Sequence, residues 1–230
     1  RSGFWLMASI GIAAVLATGA VILFAPKDQL TYDSFAAAIG FPMAIILPMV
    51  AILSVTGEWS QRTGLTTFTL VPHRNRIIVA KAVASVEVAV VSMLLAFGIG
   101  AVGTVVGSAI AGVDRTWDLS LPHAGLIVLA NVLGLMMGFM LGVLVRNSAG
   151  AIVGYFVYAF VLPTLFALLA SGQSWFEKLQ PWVDFNFAQG QLFNGTMNSE
   201  QWANLGVTAI IWLVVPMTVG IWMVLRSEVK

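Results

Sequence analysis

The stretch HAGLIVLANVLGLMMGFMLGVLV, residues 123–145, decides the fold class of this chain. It contains no Asp, Glu, Lys or Arg. At ~1.5 Å of rise per residue, a helix of this length covers the ~30 Å hydrocarbon layer of a bilayer. A helix also satisfies its own backbone groups where no water is present to do so. Residues 123–145 are therefore predicted to form a transmembrane helix.

Apolar runs of similar length lie on both sides of this stretch. They predict five further spans, at residues 3–24, 35–55, within 77–112, from the link at 146–150 to about 170, and 205–225. The composition agrees, because 59% of the residues are hydrophobic and 9% are charged, with a mean hydropathy of +0.94. We expect a single all-α membrane domain over residues 1–230, with six transmembrane helices.

Basic residues set the expected orientation. Lys and Arg side chains near span ends favour the cytoplasm. Eight fall on one side of the predicted spans and three on the other, so both termini are expected in the cytoplasm. The eight are Arg1, Arg62, Arg74, Arg76, Lys81, Arg146, Arg226 and Lys230, and the three are Lys27, Arg115 and Lys178. Because the chain begins at Arg1 rather than at a methionine, further sequence is expected to precede it.

Several classes of chemistry find no support in the composition. The chain has no cysteine and only two histidines, His73 and His123, which argues against a thiolate or metal centre. His73 lies in the polar segment and His123 at an outer boundary, so no nucleophile–base pair is identified at membrane depth and an intramembrane hydrolase is not expected. The net charge of +1 gives no reason to expect a nucleic acid as partner.

The polar segment GEWSQRTGLTTFTLVPHRNRIIVAK, residues 57–81, is unusual for its length. Leu65 and Phe68 lie three residues apart, Thr63 can cap a helix, and Pro72 disfavours its continuation, so a short cytoplasmic helix is predicted. Glu58 and Arg62 are spaced to pair on one helical face. The segment therefore fits a docking element for a partner protein.

Its basic cluster permits another interpretation. Arg74, Arg76 and Lys81 immediately precede the third span, where cations hold a helix end at an anionic membrane surface. Membrane anchoring and partner docking both remain open at this point.

The same segment resembles the signature of bacterial type-2 ABC (ABC-2) exporter permeases. The matching positions, in chain order, are Glu58, Arg62, Thr63, Gly64, Leu70, Pro72, Arg74, Ala80 and Lys81. Many members have Gly-Thr where this chain has Thr-Gly. The six-span layout and the long aromatic outer segment at 171–204 also resemble this family.

The resemblance implies a transport subunit of the bacterial inner membrane that is not itself an enzyme. It implies that a separate ABC ATPase subunit binds ATP and Mg²⁺ and that this chain binds no cofactor. Six spans alone enclose little space, so we expect two copies, or this chain and a related one, to form the path, and a homodimer is the simplest closed arrangement. Residues 62–71 would form the coupling helix, with Glu58 at its base. Spans two and five would line the path for alternating access, which nominates Met43, Met49, Tyr155 and Phe160.

Two features within the spans are candidates for packing or transport. Gly134, Gly138 and Gly142 form a stripe on which another helix can approach closely, either within the chain or in a dimer. Glu87 lies ~9 Å beyond Lys81 along the third span, so we expect it to face the protein interior, where it pairs with a basic group or stays protonated. A structural pairing and a role in the translocation path or in proton transfer both remain open, and Asn131 is one candidate hydrogen-bond partner.

The main rival is an ion-coupled secondary transporter or channel that works without an ATPase and uses Glu87 as a proton site. Such a carrier needs no docking helix after its second span. The aromatic outer segment also has two interpretations, an anchor at the membrane interface or a gate over the exit.

Overall fold

The computed structural model describes the backbone of residues 2–60 and 74–226, and the side chains of residues 9–27, 29–57 and 76–226. This part of the chain is almost entirely helical and contains no β-strand. Five of its helices are long and apolar enough to cross a membrane. The chain is thus an all-α protein with the helices of a multi-pass membrane protein.

The helices follow one another with short links. They are α1 (Ser2–Phe24), α2 (Tyr32–Ser60), α3 (Arg74–Ala111), α4 (Leu121–Val145), α5 (Ser148–Gly172), α6 (Ser174–Val183), α7 (Phe185–Gly190) and α8 (Ser199–Arg226). The five membrane-length helices are α2 to α5 and α8. α1 is also apolar, and six spans with two cytoplasmic termini remain a prediction.

The ends of α4 are fixed by local signals. Ser120 caps its start by accepting a hydrogen bond from the His123 amide. Arg146 ends the helix in the left-handed conformation, with φ of 55°. Asn147 then caps α5, accepting from the Gly150 amide at 2.9 Å. This tight connection makes α4 and α5 neighbours.

On the opposite side of the bundle, two links are joined to each other. The Tyr32 amide donates to the Thr116 carbonyl at 3.1 Å, and the Asp33 amide donates to the Asp118 carboxylate at 2.8 Å. These bonds hold the start of α2 against the link between α3 and α4.

α2 occupies the centre of the bundle and packs against α1, α3 and α4. Its side chains Phe35, Ile39, Met43 and Leu47 are almost completely buried. Because both prolines of this span, Pro42 and Pro48, lie inside the helix, two N–H groups are missing from its ladder of backbone hydrogen bonds.

The glycine stripe of α4 lies against other parts of the same chain. A Cβ atom at Gly138 would lie 2.7 Å from Pro48 Cα, and one at Gly142 would lie 3.4 Å from Ile52 Cα, both in α2. At Gly134, the nearest atom is the Gln189 side-chain nitrogen at 3.3 Å. The glycines thus pack within the chain, and the dimer contact does not hold for Gly138 and Gly142.

Each of the last two long helices contains a π-helical turn. The turns are Val157–Val161 in α5 and Ile210–Val214 in α8, and each ends two residues before a proline, Pro163 or Pro216. A proline ring clashes with the carbonyl four residues earlier, which lies within the widened turn in both cases. The proline therefore accounts for the local change of helix type.

We expect Gly138→Ala to destabilise the protein, because its Cβ would overlap the Pro48 backbone, which cannot move away as a flexible side chain can. Overpacking of this kind costs ~1–3 kcal/mol. The midpoint of thermal unfolding in detergent should fall by several degrees. Gly125→Ala in the same helix is the control, since its Cβ meets nothing within 4 Å. Equal midpoints for the two variants would contradict the close packing of α2 and α4.

Candidate functional site

A cavity of about 200 Å³ lies between α2, α4, α5 and α7, and we call it the central cavity. Its walls are apolar and aromatic, with a few amide and hydroxyl groups. The lining residues are Phe41, Ala44, Ile45, Ala130, Asn131, Gly134, Tyr155, Tyr158, Ala159, Phe160, Asn186, Gln189, Gly190 and Phe193. Asn131 lies ~15 Å along α4 from its first residue, which places the cavity near the middle of a ~30 Å hydrocarbon layer.

One wall depends on the bond between Tyr155 and α2. Pro48 has no N–H, so the carbonyl of Ala44, four residues earlier, lacks its usual helical donor. The Tyr155 hydroxyl donates to this carbonyl at 2.7 Å. In a bilayer such a carbonyl must be satisfied by protein, and a side chain from a neighbouring helix does so here. The bond holds α5 against α2 at the cavity.

Asn131, which lines the central cavity, has an unpaired side-chain oxygen. Its Nδ2 donates to the Ile127 carbonyl at 2.9 Å, and only the amide nitrogen can donate, so the orientation of the side chain is fixed. Its Oδ1 is buried and has no hydrogen-bond partner within the described residues. This oxygen is one of five buried polar side-chain atoms without a partner among the described residues, the others belonging to Thr18, Ser92, Tyr158 and Asn204.

Tyr158 also lines the central cavity, and its hydroxyl is likewise buried without a partner in the described part of the chain. Its ring packs between Tyr155 and Trp212, with centroid distances of 6.1 and 6.2 Å. Tyr158 also lines a second cavity of about 220 Å³ between α4, α5 and α8, which includes Trp212 and Pro216. The tyrosine thus stands between two cavities, at a π-helical turn of α5.

An outer cavity of about 330 Å³ adjoins the central one, since Phe41, Ala44 and Phe193 line both. At its other end lie Asp33 and His123. A hydrogen bond of 3.0 Å joins His123 Nε2 to the Phe193 carbonyl, and His123 Nδ1 is 3.6 Å from the Asp33 carboxylate. The histidine thus connects α2, α4 and the outer segment at the mouth.

The aromatic outer segment packs onto the bundle. The Gln189 side chain of α7 donates to the Ala130 carbonyl of α4 at 2.7 Å, and the Trp212 indole of α8 donates to the Val183 carbonyl at the end of α6 at 2.7 Å. Phe176 and Phe185 are buried, whereas Trp175 is 60% exposed. The segment therefore forms a wall of the central cavity, while part of its aromatic surface faces outward.

The nominated path residues divide into two groups. Tyr155 and Phe160 line the central cavity. Met43 and Met49 line neither cavity, and Met43 is completely buried in the packing of α2 against its neighbours. α2 contacts α1, α3, α4 and α5, so only part of its surface faces a cavity, and sequence alone does not reveal which part.

Glu87 does not have the interior position expected for it. Its side chain is exposed on α3, and Asn131 bonds to the Ile127 carbonyl instead. The expected hydrogen bond between Glu87 and Asn131 is not formed. Glu87 lies on the exposed face of α3, whereas the opposite face, which includes Ser92 and Thr104, is buried.

Most of the expected coupling residues lie outside the described residues. They are Arg62, Thr63, Gly64, Leu65, Phe68, Leu70 and Pro72, together with the side chains of Glu58 and Arg74. Arg76 is exposed. Lys81 donates a hydrogen bond of 2.7 Å to the Ser54 carbonyl, which connects the start of α3 to the last turns of α2.

Sequence reasoning missed Tyr158 and Gln189, and it gave Asn131 a different role. One signal was present: two of the three tyrosines of the chain, Tyr155 and Tyr158, fall three residues apart on one face of a single span. Hydroxyl groups within a span need partners, so such a pair indicates a polar site.

The cavity can bind a molecule by apolar contact and a few directed hydrogen bonds. No group of three or more His, Asp or Glu side chains that could hold a metal ion occurs among the described residues. No protein-family model matches the chain, and no curated protein matches it either.

We expect Tyr155→Phe to destabilise the protein because it leaves the Ala44 carbonyl unpaired in the membrane interior. In a Pro48→Ala variant, residue 48 has an amide N–H that can bond to the Ala44 carbonyl. Tyr155→Phe should therefore lower the free energy of unfolding by less in this variant. The coupling between the two substitutions should be about 0.5–1.5 kcal/mol, the range of hydrogen bonds between membrane helices. Reversible unfolding of the four proteins in mixed micelles measures it, and additive effects would show that Tyr155 does not serve this carbonyl.

Proposed function

We propose that this chain is the membrane subunit of an ATP-driven exporter of the ABC-2 type in the bacterial inner membrane. It moves a substrate outward while a separate ATPase subunit binds and hydrolyses ATP with Mg²⁺. The observation that supports this proposal best is the course of α2. This one helix runs from the cavity walls to the start of the polar segment that carries the family-like motif.

The two halves of α2 have different surroundings. Phe41 and Ala44 line the cavities, whereas Ser60 is the last described residue before the segment at 61–73. The hydrogen bond from Lys81 to the Ser54 carbonyl holds α3 to α2 on both sides of that segment. A force applied to the segment by a partner would therefore move α2 and α3 together and shift the wall of the central cavity.

The sequence lacks a phosphate-binding loop motif, which is consistent with such a partner. No G-x-x-x-x-G-K-[ST] phosphate-binding motif occurs in the chain. In the proposed arrangement ATP-driven closure of two ATPase subunits pushes the segments at 61–73 of two permease copies. The motion opens the path alternately to the two sides of the membrane.

A second copy of the chain is part of the proposal. α5 is apolar and largely unburied, with Val153 62% and Leu168 65% exposed. Phe160, on the same helix, is 45% exposed and also lines the central cavity. A two-fold related copy facing this side would bring the two cavities towards one shared path.

The proposed topology can be tested with single cysteines, because the natural chain has none. We expect a membrane-impermeant maleimide to label Arg115→Cys in intact cells. Gln61→Cys should react only after the inner membrane is permeabilised. The reverse pattern would place the segment at 61–73 outside the cell and rule out contact with a cytoplasmic ATPase.

The partner can be tested by isolating a tagged chain from its native membrane. We expect an ATPase subunit to copurify, as identified by mass spectrometry. The double charge reversal Arg62→Glu and Arg74→Glu should reduce its recovery at least tenfold. Arg115→Glu, a reversal at the opposite end of the bundle, is the matched control and should leave recovery unchanged. If no ATPase copurifies and the chain alone moves solute on an ion gradient in liposomes, the ion-coupled carrier is the correct function.

A further inference from the structure

The imidazole of His123 joins three elements at the mouth of the outer cavity. Its Nε2 lies 3.0 Å from the Phe193 carbonyl of the outer segment, and its Nδ1 lies 3.6 Å from the Asp33 carboxylate of α2. A Cβ atom at Gly195 would lie only 3.0 Å from His123 Cγ, so the backbone of the outer segment packs directly on the ring. The His123 side chain is 16% exposed. These contacts fix the orientation of the ring at the start of α4.

The two nitrogens of this ring face two groups that only accept hydrogen bonds. A backbone carbonyl has no proton to donate, and neither has an ionised carboxylate. A neutral imidazole carries one N–H, whereas a protonated ring carries two. Neutral His123 can therefore serve either the Phe193 carbonyl or Asp33, and it turns a bare nitrogen lone pair towards the other. Only the protonated ring binds both at once.

The charges around His123 favour the protonated ring. α2 contributes Asp33, and the link between α3 and α4 contributes Asp118, whose carboxylate accepts from the Asp33 amide at 2.8 Å. The part of the outer segment that packs on α4, residues 185–198, has no charged side chain, and α4 has no other titratable group. The other charged side chains described in the two links are exposed and form no ion pair with His123 or Asp33; they are Lys27, Asp114 and Arg115.

We propose that His123 is a proton-operated clamp that closes the mouth of the outer cavity when the ring is protonated. His123 and Asp33 line this cavity of about 330 Å³, and Phe193 lines both it and the central cavity. The protonated ring ties the start of α2 and the outer segment to the start of α4. When the ring is neutral, one of these two ties is lost and the mouth opens more often.

The clamp acts in the physiological range and shifts a balance of two states. Histidine is the side chain whose charge ordinarily changes between about pH 5 and 8. Asp33 is 45% exposed, and ion pairs of that exposure change an equilibrium only about two- to fivefold. In the proposed topology this end of the bundle faces outward, so acid outside the cell closes the exit. That consequence rests on the proposed function, whereas the clamp itself does not.

Paired nitroxide labels on introduced cysteines measure the opening, because the natural chain has no cysteine. Gln29→Cys, before α2, and Thr196→Cys, in the outer segment, lie at exposed positions of two elements that the clamp connects. In phosphatidylcholine nanodiscs, we expect pulsed electron paramagnetic resonance to give mainly the shorter distance at about pH 5.5. At about pH 8 the ratio of the shorter to a longer distance should be about two- to fivefold lower.

A second pair of labels is the control for the distances. Gln29→Cys and Arg115→Cys lie in two links that are joined without His123, through the amides of Tyr32 and Asp33. Their distance should be the same at both pH values.

Two variants remove the pH dependence in opposite ways. His123→Gln retains an amide that can donate to Phe193 but takes up no proton, so the mouth should open equally at both pH values, as often as in the natural chain at about pH 8. Asp33→Asn replaces the carboxylate by an amide, which has a donor and an acceptor. Such an amide suits His123 Nδ1 with or without its proton, so the mouth should stay closed at both pH values.

The charge of the ring can be measured separately from the distances. His73→Gln leaves His123 as the only histidine of the chain. In protein labelled with ¹⁵N-histidine, the nitrogen resonances then report the protonation of this one ring. We expect two protonated nitrogens at about pH 5.5 and one at about pH 8.

Equal distance distributions of the natural chain at the two pH values would overturn the proposal. A ring that stays neutral at about pH 5.5 would overturn it as well, and so would an Asp33→Asn variant that opens as often as His123→Gln. None of these results depends on the ATPase. If the distances respond as expected and no ATPase copurifies, the clamp stands and the exporter assignment fails. If the ATPase copurifies and the distances do not respond, the exporter stands and the clamp is wrong.

Discussion

The missing N–H of Pro48 is the constraint on which the centre of this molecule depends. In water, the carbonyl it leaves free at Ala44 would be solvated at little cost. In a bilayer, protein must supply the donor, and the Tyr155 hydroxyl of α5 does so at 2.7 Å. The proline ring in turn lies against α4, where only a glycine, Gly138, leaves room for it. One proline thus fixes the positions of three helices around the central cavity.

The same requirement explains where polar groups lie elsewhere in the bundle. Gln189 reaches the Ala130 carbonyl, and the Trp212 indole reaches the Val183 carbonyl, so the outer segment is tied to the spans by side chains bonded to backbone. Five buried polar side-chain atoms among the described residues nevertheless have no hydrogen-bond partner, and they belong to Thr18, Ser92, Asn131, Tyr158 and Asn204. Of these residues, Asn131 and Tyr158 line the central cavity beside α2, the helix that leads to the polar segment at 61–73. α2 thus connects the central cavity with the segment to which an ATPase partner is proposed to bind.

Prediction from sequence succeeded where periodicity or composition carries the information. The apolar runs gave the positions of the long helices, and the run from 77 to 112 is indeed one helix that is longer than a single span requires. Prediction from sequence failed where the rotation of a helix about its axis decides which way a side chain points. Glu87 was expected inside because charge is costly in lipid, but the rotation of α3 about its axis is set by packing of its other face. Met43 was nominated for the path and lies in the packing core instead.

The sequence by itself determined that the chain is helical and apolar enough to span a membrane several times, because these properties depend on local composition and run length. It also marked Gly138 as a place of close approach. Only the tertiary structure decided that this approach is to Pro48, that Tyr155 serves Ala44, and that Asn131 and Tyr158 meet at one cavity. These residues are far apart in the chain or belong to different helices. Which of them meet depends on how each helix is rotated and tilted against its neighbours, and that is a property of the packed bundle rather than of any one segment.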